Sequence, residues 1–153
     1  MEFVKVEWGS ELHGFSLESG GYLSELSNIR ESLPPGAPAF ASDPAHYSFG
    51  SDRCVKDLEL VEFSVPSRVS REYILDFAAN KWKHASGLRI RDSGVTRFSI
   101  DYDEPVEWMQ AETVLIDEIL PHGDGFRHEI ALTDATITVH CADLEASWGD
   151  REA

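Results

Sequence analysis

The chain has 153 residues, 42% of them hydrophobic and 10% aromatic, with 28 Asp and Glu against 13 Lys and Arg, a formal net charge of −15. That apolar content excludes an acidic disordered tail, and the length suits a single domain that buries about 68 to 70% of its unfolded surface. So few cations argue against direct nucleic-acid binding, and no apolar run approaches the roughly 18 residues of a membrane-spanning helix.

From Met1, acids accompany an alternation of Val4, Val6 and Trp8, which predicts a short strand where a signal peptide would need a basic region and an apolar run. After Gly20-Gly21, Leu23, Leu26, Ile29 and Leu33 recur every three to four residues and predict one short helix ending at Pro34-Pro35. Pro34 to Gly50 is rich in Pro, Ser, Gly and Ala. It reads as a long ordered loop or lid, or as an irregular segment packed by Phe40, Tyr47 and Phe49.

The hydrophobic period changes to two from Cys54 onward. Leu58 and Leu60 alternate with acids, then Val61, Phe63 and Val65 continue in the opposite phase, as a bulge near Leu60 would require. Tyr73, Leu75 and Phe77 suit a strand. Leu88 and Ile90, a turn at Asp92-Ser93-Gly94, and Phe98, Ile100 and Tyr102 read as a hairpin. The expectation is a single α+β domain, helix and long loop over 1–53 and antiparallel sheet over 54–148, ending in a three-strand meander.

That meander lies in a lopsided region: Asp103 to Ala153 holds thirteen acids against Arg127 and Arg151, so most of the net charge falls there. A turn at Asp134-Ala135 sets Leu132 against Ile137, Ile130 against Val139 and His128 against Cys141. A loop over Pro121 to Gly125 sets Leu120 against Phe126, Val114 against Leu132 and Glu118 against His128. Glu118, His128 and Cys141 then share the apolar side. A carboxylate orienting a histidine beside a thiol can activate a cysteine nucleophile, and the same side chains can ligate zinc. The structural alternative is a satisfied His–Glu pair beside a small buried thiol.

The same registers put Asp117 and Glu129 on the exposed side. With Asp103, Glu104, Glu107, Trp108 and Glu112 of the preceding loop they form a candidate patch for a basic protein, Trp108 its aromatic anchor and the acids steering encounter. The bland reading is a solubilising surface with Trp108 capping the core. No P-loop, GxSxG elbow, GxGxxG or CxxC occurs, and His13, His46, His84 and His122 stand singly. No cofactor is implied. Two cysteines are too few for a secreted disulfide scaffold, though one Cys54–Cys141 bridge stays open. A reducing cytoplasm is the simpler setting.

The runs Cys54-Val55-Lys56-Asp57-Leu58-Glu59-Leu60-Val61-Glu62-Phe63, Gly125-Phe126-Arg127-His128-Glu129-Ile130-Ala131-Leu132 and Ala135-Thr136-Ile137-Thr138-Val139 resemble small strand-rich immunity proteins of bacterial polymorphic toxin systems. The resemblance spans about Cys54 to Trp148. It implies a cytosolic, non-catalytic protein that blocks a toxin domain, often a basic nuclease. Two alternatives stand beside it: a small cysteine- or metal-dependent enzyme using Glu118, His128 and Cys141, and a DNA-mimic inhibitor of a nucleic-acid-binding protein.

Overall fold

The computed structural model describes residues 1–11, 13–103 and 113–149. The element order is β1 (Lys5–Gly9), β2 (Gly14–Glu18), α1 (Gly20–Ile29), a 3₁₀ turn (Arg30–Ser32), α2 (Gly36–Ala41), β3 (Glu59–Ser67), β4 (Glu72–Ala78), β5 (Leu88–Ser93), β6 (Arg97–Tyr102), β7 (Val114–His122), β8 (Gly125–Leu132), β9 (Ala135–Cys141) and β10 (Asp143–Trp148). The fold is α+β and strand-dominated, and every strand pairing is antiparallel. No helix among the described residues is long and apolar enough to cross a membrane.

Two four-stranded sheets, ordered β10-β5-β4-β3 and β6-β9-β8-β7, share one hydrophobic core. The expected meander is β7-β8-β9, but β10 follows it and crosses to the other sheet. Nor do β5 and β6 form the predicted hairpin. Each pairs with a partner in its own sheet, β5 with β10 and β6 with β9. Pairing runs Ser93↔Asp143 in one sheet and Arg97↔His140 in the other, so a single two-stranded ribbon bends across the corner and loses one step of register there. Strands that switch sheets at a bend or bulge make such corners. Gly94, at φ +62, supplies a backbone conformation that side chains disfavour.

A second junction joins β3 to β7, where the Asp57 amide donates to the Val114 carbonyl and the Val114 amide to that of Leu58. Between the sheets the rings of Phe63 and Phe98 stack with centroids 4.4 Å apart, and Tyr73 meets Phe98 edge-on at 5.3 Å. The bulge expected near Leu60 falls at Val61, which leaves Leu60 buried and Val61 exposed.

The expected helix is present as α1, but its core face is set by Tyr22 and Leu26, one turn apart, with Ile29 partly buried and Leu33 joining after the 3₁₀ turn, while Leu23 of the expected stripe is exposed. The single-helix expectation misses α2, whose Gly-Ala-Pro-Ala-Phe-Ala sequence lacks an amphipathic stripe long enough to read. The Gly36 amide donates to Asp143 Oδ1 at 3.0 Å, and a Cβ on Gly36 would collide with the Leu144 carbonyl, so the first turn of α2 lies directly on β10. Pro34 to Gly50 is therefore packed against the core, with Phe40 and Tyr47 buried, but it contains α2 and is irregular only beyond that helix.

Candidate interaction site

Two registers decide which carboxylates are available. Between β8 and β9 the pairs are Ile130↔Ile137 and His128↔Val139, with the turn at Thr133-Asp134. The predicted register is thus out by two residues, which preserves every side chain's face but sets Phe126, not His128, against Cys141. Between β7 and β8, Val114 faces Leu132 as expected. An extra residue at Leu115 then shifts the ladder by one, giving Ile119↔His128 and Glu118↔Glu129 and closing with a tight Gly123-Asp124 turn. A one-residue shift exchanges faces, so Asp117 enters the core beside His128 and Glu118 turns to the opposite side.

The proposed Glu118–His128–Cys141 row is consequently not assembled. Asp117, fully buried, receives His46 Nε2 at 2.6 Å on Oδ1 and His128 Nε2 at 2.8 Å on Oδ2. His46 Nδ1 lies 3.1 Å from the Phe40 carbonyl, so both ring nitrogens face oxygen partners and the ring is fixed in orientation. Burial alone raises the Asp117 carboxyl, but the charges and hydrogen bonds of His46 and His128 outweigh it and hold the group well below the usual carboxylate range. The void beside Asp117 and His128 is about 10 Å³, room for one water at most, so no substrate fits in it.

Cys141 Sγ lies 3.8 Å from Asp92 Oδ1, and burial first, then the Asp92 charge, pushes the thiol up, the reverse of what a nucleophile needs. Cys54 and Cys141 are both free and buried. Among the described residues no three His, Cys, Asp or Glu side chains converge on a metal position, which removes the geometric basis of the zinc reading.

Glu118 holds the start of the chain. Its carboxylate, 1% exposed, accepts the amides of Glu2, Phe3 and Val4 at 2.9, 2.7 and 2.8 Å. Successive backbone N–H groups form such anion-binding nests. Beside it Glu129 meets the Met1 ammonium at 3.0 Å and Arg127 Nε at 2.9 Å. Glu118 and Glu129 thus fix the N-terminal segment against the outer face of the β6-β9-β8-β7 sheet.

That docking creates a groove of about 460 Å³ between the β1–β2 hairpin and the sheet. Buried Val4, Leu115, Ala131 and Leu132 supply its apolar surface, and Glu7, Asp103 and Glu129 border it, with Lys5 as the one basic side chain among the described residues. Asp101 and Asp134 are exposed at the same end, the first paired across to Thr136 and the second offering its carbonyl to the Asp103 amide at 3.0 Å. At the end of the hairpin Trp8 and Phe15 meet edge-on with centroids 5.0 Å apart and remain 59% and 38% exposed.

Of the proposed partner-facing acids, Asp103 and Glu129 therefore share one groove. Asp117 is removed from the surface by the Leu115 bulge, and Glu104, Glu107, Trp108 and Glu112 lie outside the described residues. Several cations are already paired within the fold: Arg89 is bidentate to Asp76, Lys83 meets Asp57 and Arg91 meets Glu72.

No protein-family model matches the chain, and no curated protein matches it.

Sequence reasoning missed His46, Asp92 and the Trp8–Phe15 pair. The last had a readable signal, since Phe15 and Leu17 alternate between Gly14 and Gly20 and could have been paired with Val6 and Trp8. His46 had none: its partner is 71 positions away and it sits in a segment without periodicity.

Proposed function

We propose that this chain is an acidic binding module that neutralises a basic protein, in the manner implied by its resemblance to immunity proteins, with a toxin domain of the nuclease kind as partner. The observation that supports this reading is the groove beside β1, where Glu7, Asp103 and Glu129 border an apolar surface and Asp101 and Asp134 extend the same sign of charge. Apolar contacts beside a border with more carboxylates than cations combine contact area with long-range steering. The following acids Glu104, Glu107 and Glu112, with Trp108, belong to the proposed surface by sequence. The free thiols suit a cytoplasmic setting.

The test captures partners on the immobilised protein, identifies the basic one and measures its association with purified protein. Between 20 mM and 500 mM salt the association rate should fall at least about tenfold, because the screening length shrinks below the spacing of the steering charges. Asp101→Asn/Asp103→Asn/Asp134→Asn should lower the low-salt rate toward the high-salt one. A rate independent of salt would overturn the electrostatic reading, and competition by duplex DNA for the captured partner would turn it toward DNA mimicry.

A further inference from the structure

We infer that the groove receives an extended segment of the basic partner, which adds as a strand to the free edge of β1. This rests on the binding reading above and specifies how the partner is held. Val4, Lys5, Val6 and Glu7 all border the groove. Four consecutive residues of an extended chain point alternately to opposite faces, so what they share toward the groove is their backbone edge. That edge is unpaired: β1 bonds β2 on one side, and no other backbone partner for Lys5–Gly9 exists among the described residues. A row of free N–H and C=O groups is a template for another strand.

The occupant follows from charge and pattern. One flank of the groove is apolar, from Leu115, Ala131 and Leu132; the other charges are Glu7, Asp103 and Glu129 against Lys5. Glu129 is engaged by Arg127 and the Met1 ammonium, which leaves Glu7 and Asp103 as the exposed carboxylates for an incoming cation. An added strand presents alternate side chains to opposite sides, so a segment alternating basic and apolar residues meets both requirements. A second copy of this chain does not: an antiparallel β1–β1 pairing centred on the strand would set Glu7 against its own copy, on a molecule of net charge −15. The exposed Trp8 and Phe15 continue the hairpin's apolar face beyond Val6 and Leu17 and lengthen the surface available to the same segment.

The probe is an octapeptide alternating Arg and Val, compared with the same peptide N-methylated at its Arg residues, N-methylated at its Val residues, or with Gln for Arg. Binding is read by titration calorimetry and by amide hydrogen exchange of residues 4–9 in the full chain. The unmodified peptide should bind and slow exchange in β1. One methylation pattern, the one that blocks the edge turned toward β1, should weaken binding at least tenfold while the other leaves it within a few fold. Glu7→Gln/Asp103→Asn should weaken the Arg peptide and leave the Gln peptide unchanged. Equal binding of both methylated peptides and the unmodified one would overturn strand addition while leaving the charge reading intact. Equal binding of the Gln and Arg peptides would overturn the charge reading while leaving strand addition intact. No binding of the Arg peptide, or β1 protection that arises from dimerisation without peptide, would overturn the inference.

Discussion

Asp92 carries a quantitative consequence that no surface feature shares. It lies on the core face of β5 with no exposure, its Oδ1 meets only the weak Cys141 thiol donor, and its Oδ2 has no partner. Burial pushes its pKa from 3.8 up to about 6, against the pull of the His128 charge and the Cys141 hydrogen bond. In the unfolded chain the group ionises near its ordinary value of about 3.9. Between these two values the folded state holds a proton that the unfolded state releases, so stability falls as pH rises through the window, and the contribution of this neutral carboxyl is fully lost above about pH 6. A separation of about two pH units corresponds to about 3 kcal/mol.

Asp92→Asn keeps the shape and removes the ionisation. Near pH 4 both side chains are neutral and the variant should match the wild type within about 0.5 kcal/mol, a surface-substitution-sized difference. By pH 7 it should be the more stable protein by about 3 kcal/mol, a rise in Tm of roughly 6 to 12 °C for a chain of this size. Urea denaturation of both proteins at closely spaced pH values between 4 and 8 measures the difference directly, and comparing the pair cancels the titrating groups that do not interact with Asp92. A difference that stays constant across this range, or a wild type that is the more stable at pH 7, would refute the account of Asp92 as a buried, poorly partnered carboxyl.

Asp117 should behave oppositely. Asp117→Ala should destabilise by about 3–5 kcal/mol in urea denaturation, because it strands two buried imidazoles that now share one acceptor. The folded-state pKa of Asp117 lies below the unfolded one, so its contribution should be complete above about pH 4 and fade only in stronger acid. Glu118→Gln should cost on the order of 3 kcal/mol and raise hydrogen exchange at the Glu2, Phe3 and Val4 amides while β8 and β9 stay protected. Cys54 and Cys141 should react with a thiol reagent in the native protein at least about a hundredfold more slowly than after unfolding; rapid labelling of native Cys141 would revive the nucleophile reading.

Alternation was enough to place most strands, because β5, β9 and most of β8 turn every second residue to one shared core. Pairing was less legible. A turn misplaced by two residues between β8 and β9 changed no face, since the side-chain period is two, whereas one inserted residue at Leu115 reversed Asp117 and Glu118. Nothing in Val114-Leu115-Ile116 announces that insertion: all three are apolar, and the strand is covered on both sides, so any phase looks acceptable. The sheet switch at Gly94 was equally hidden. A turn signal between two alternating runs reads as a hairpin, and only the later strands β9 and β10, each pairing with one of the two runs, separate them.

The two adjacent acids of β7 show how a surplus of carboxylates is divided between folding and recognition. Because β7 is covered on both faces, Asp117 and Glu118 are both withdrawn from solvent, and each anchors a segment that lacks periodicity of its own. Asp117 ties the irregular stretch around His46 and Tyr47 to the core, with the Tyr47 hydroxyl donating to the Asp117 carbonyl at 3.0 Å; Glu118 ties down residues 2–4. Securing residues 2–4 is also what positions β1 beside the sheet and so forms the wall of the groove. A buried negative charge thereby sets the geometry in which the exposed ones, Glu7 and Asp103, act. Changes at Glu118 should accordingly weaken partner binding without altering its salt dependence, because the steering charges remain while the edge that holds the partner loses its fixed position.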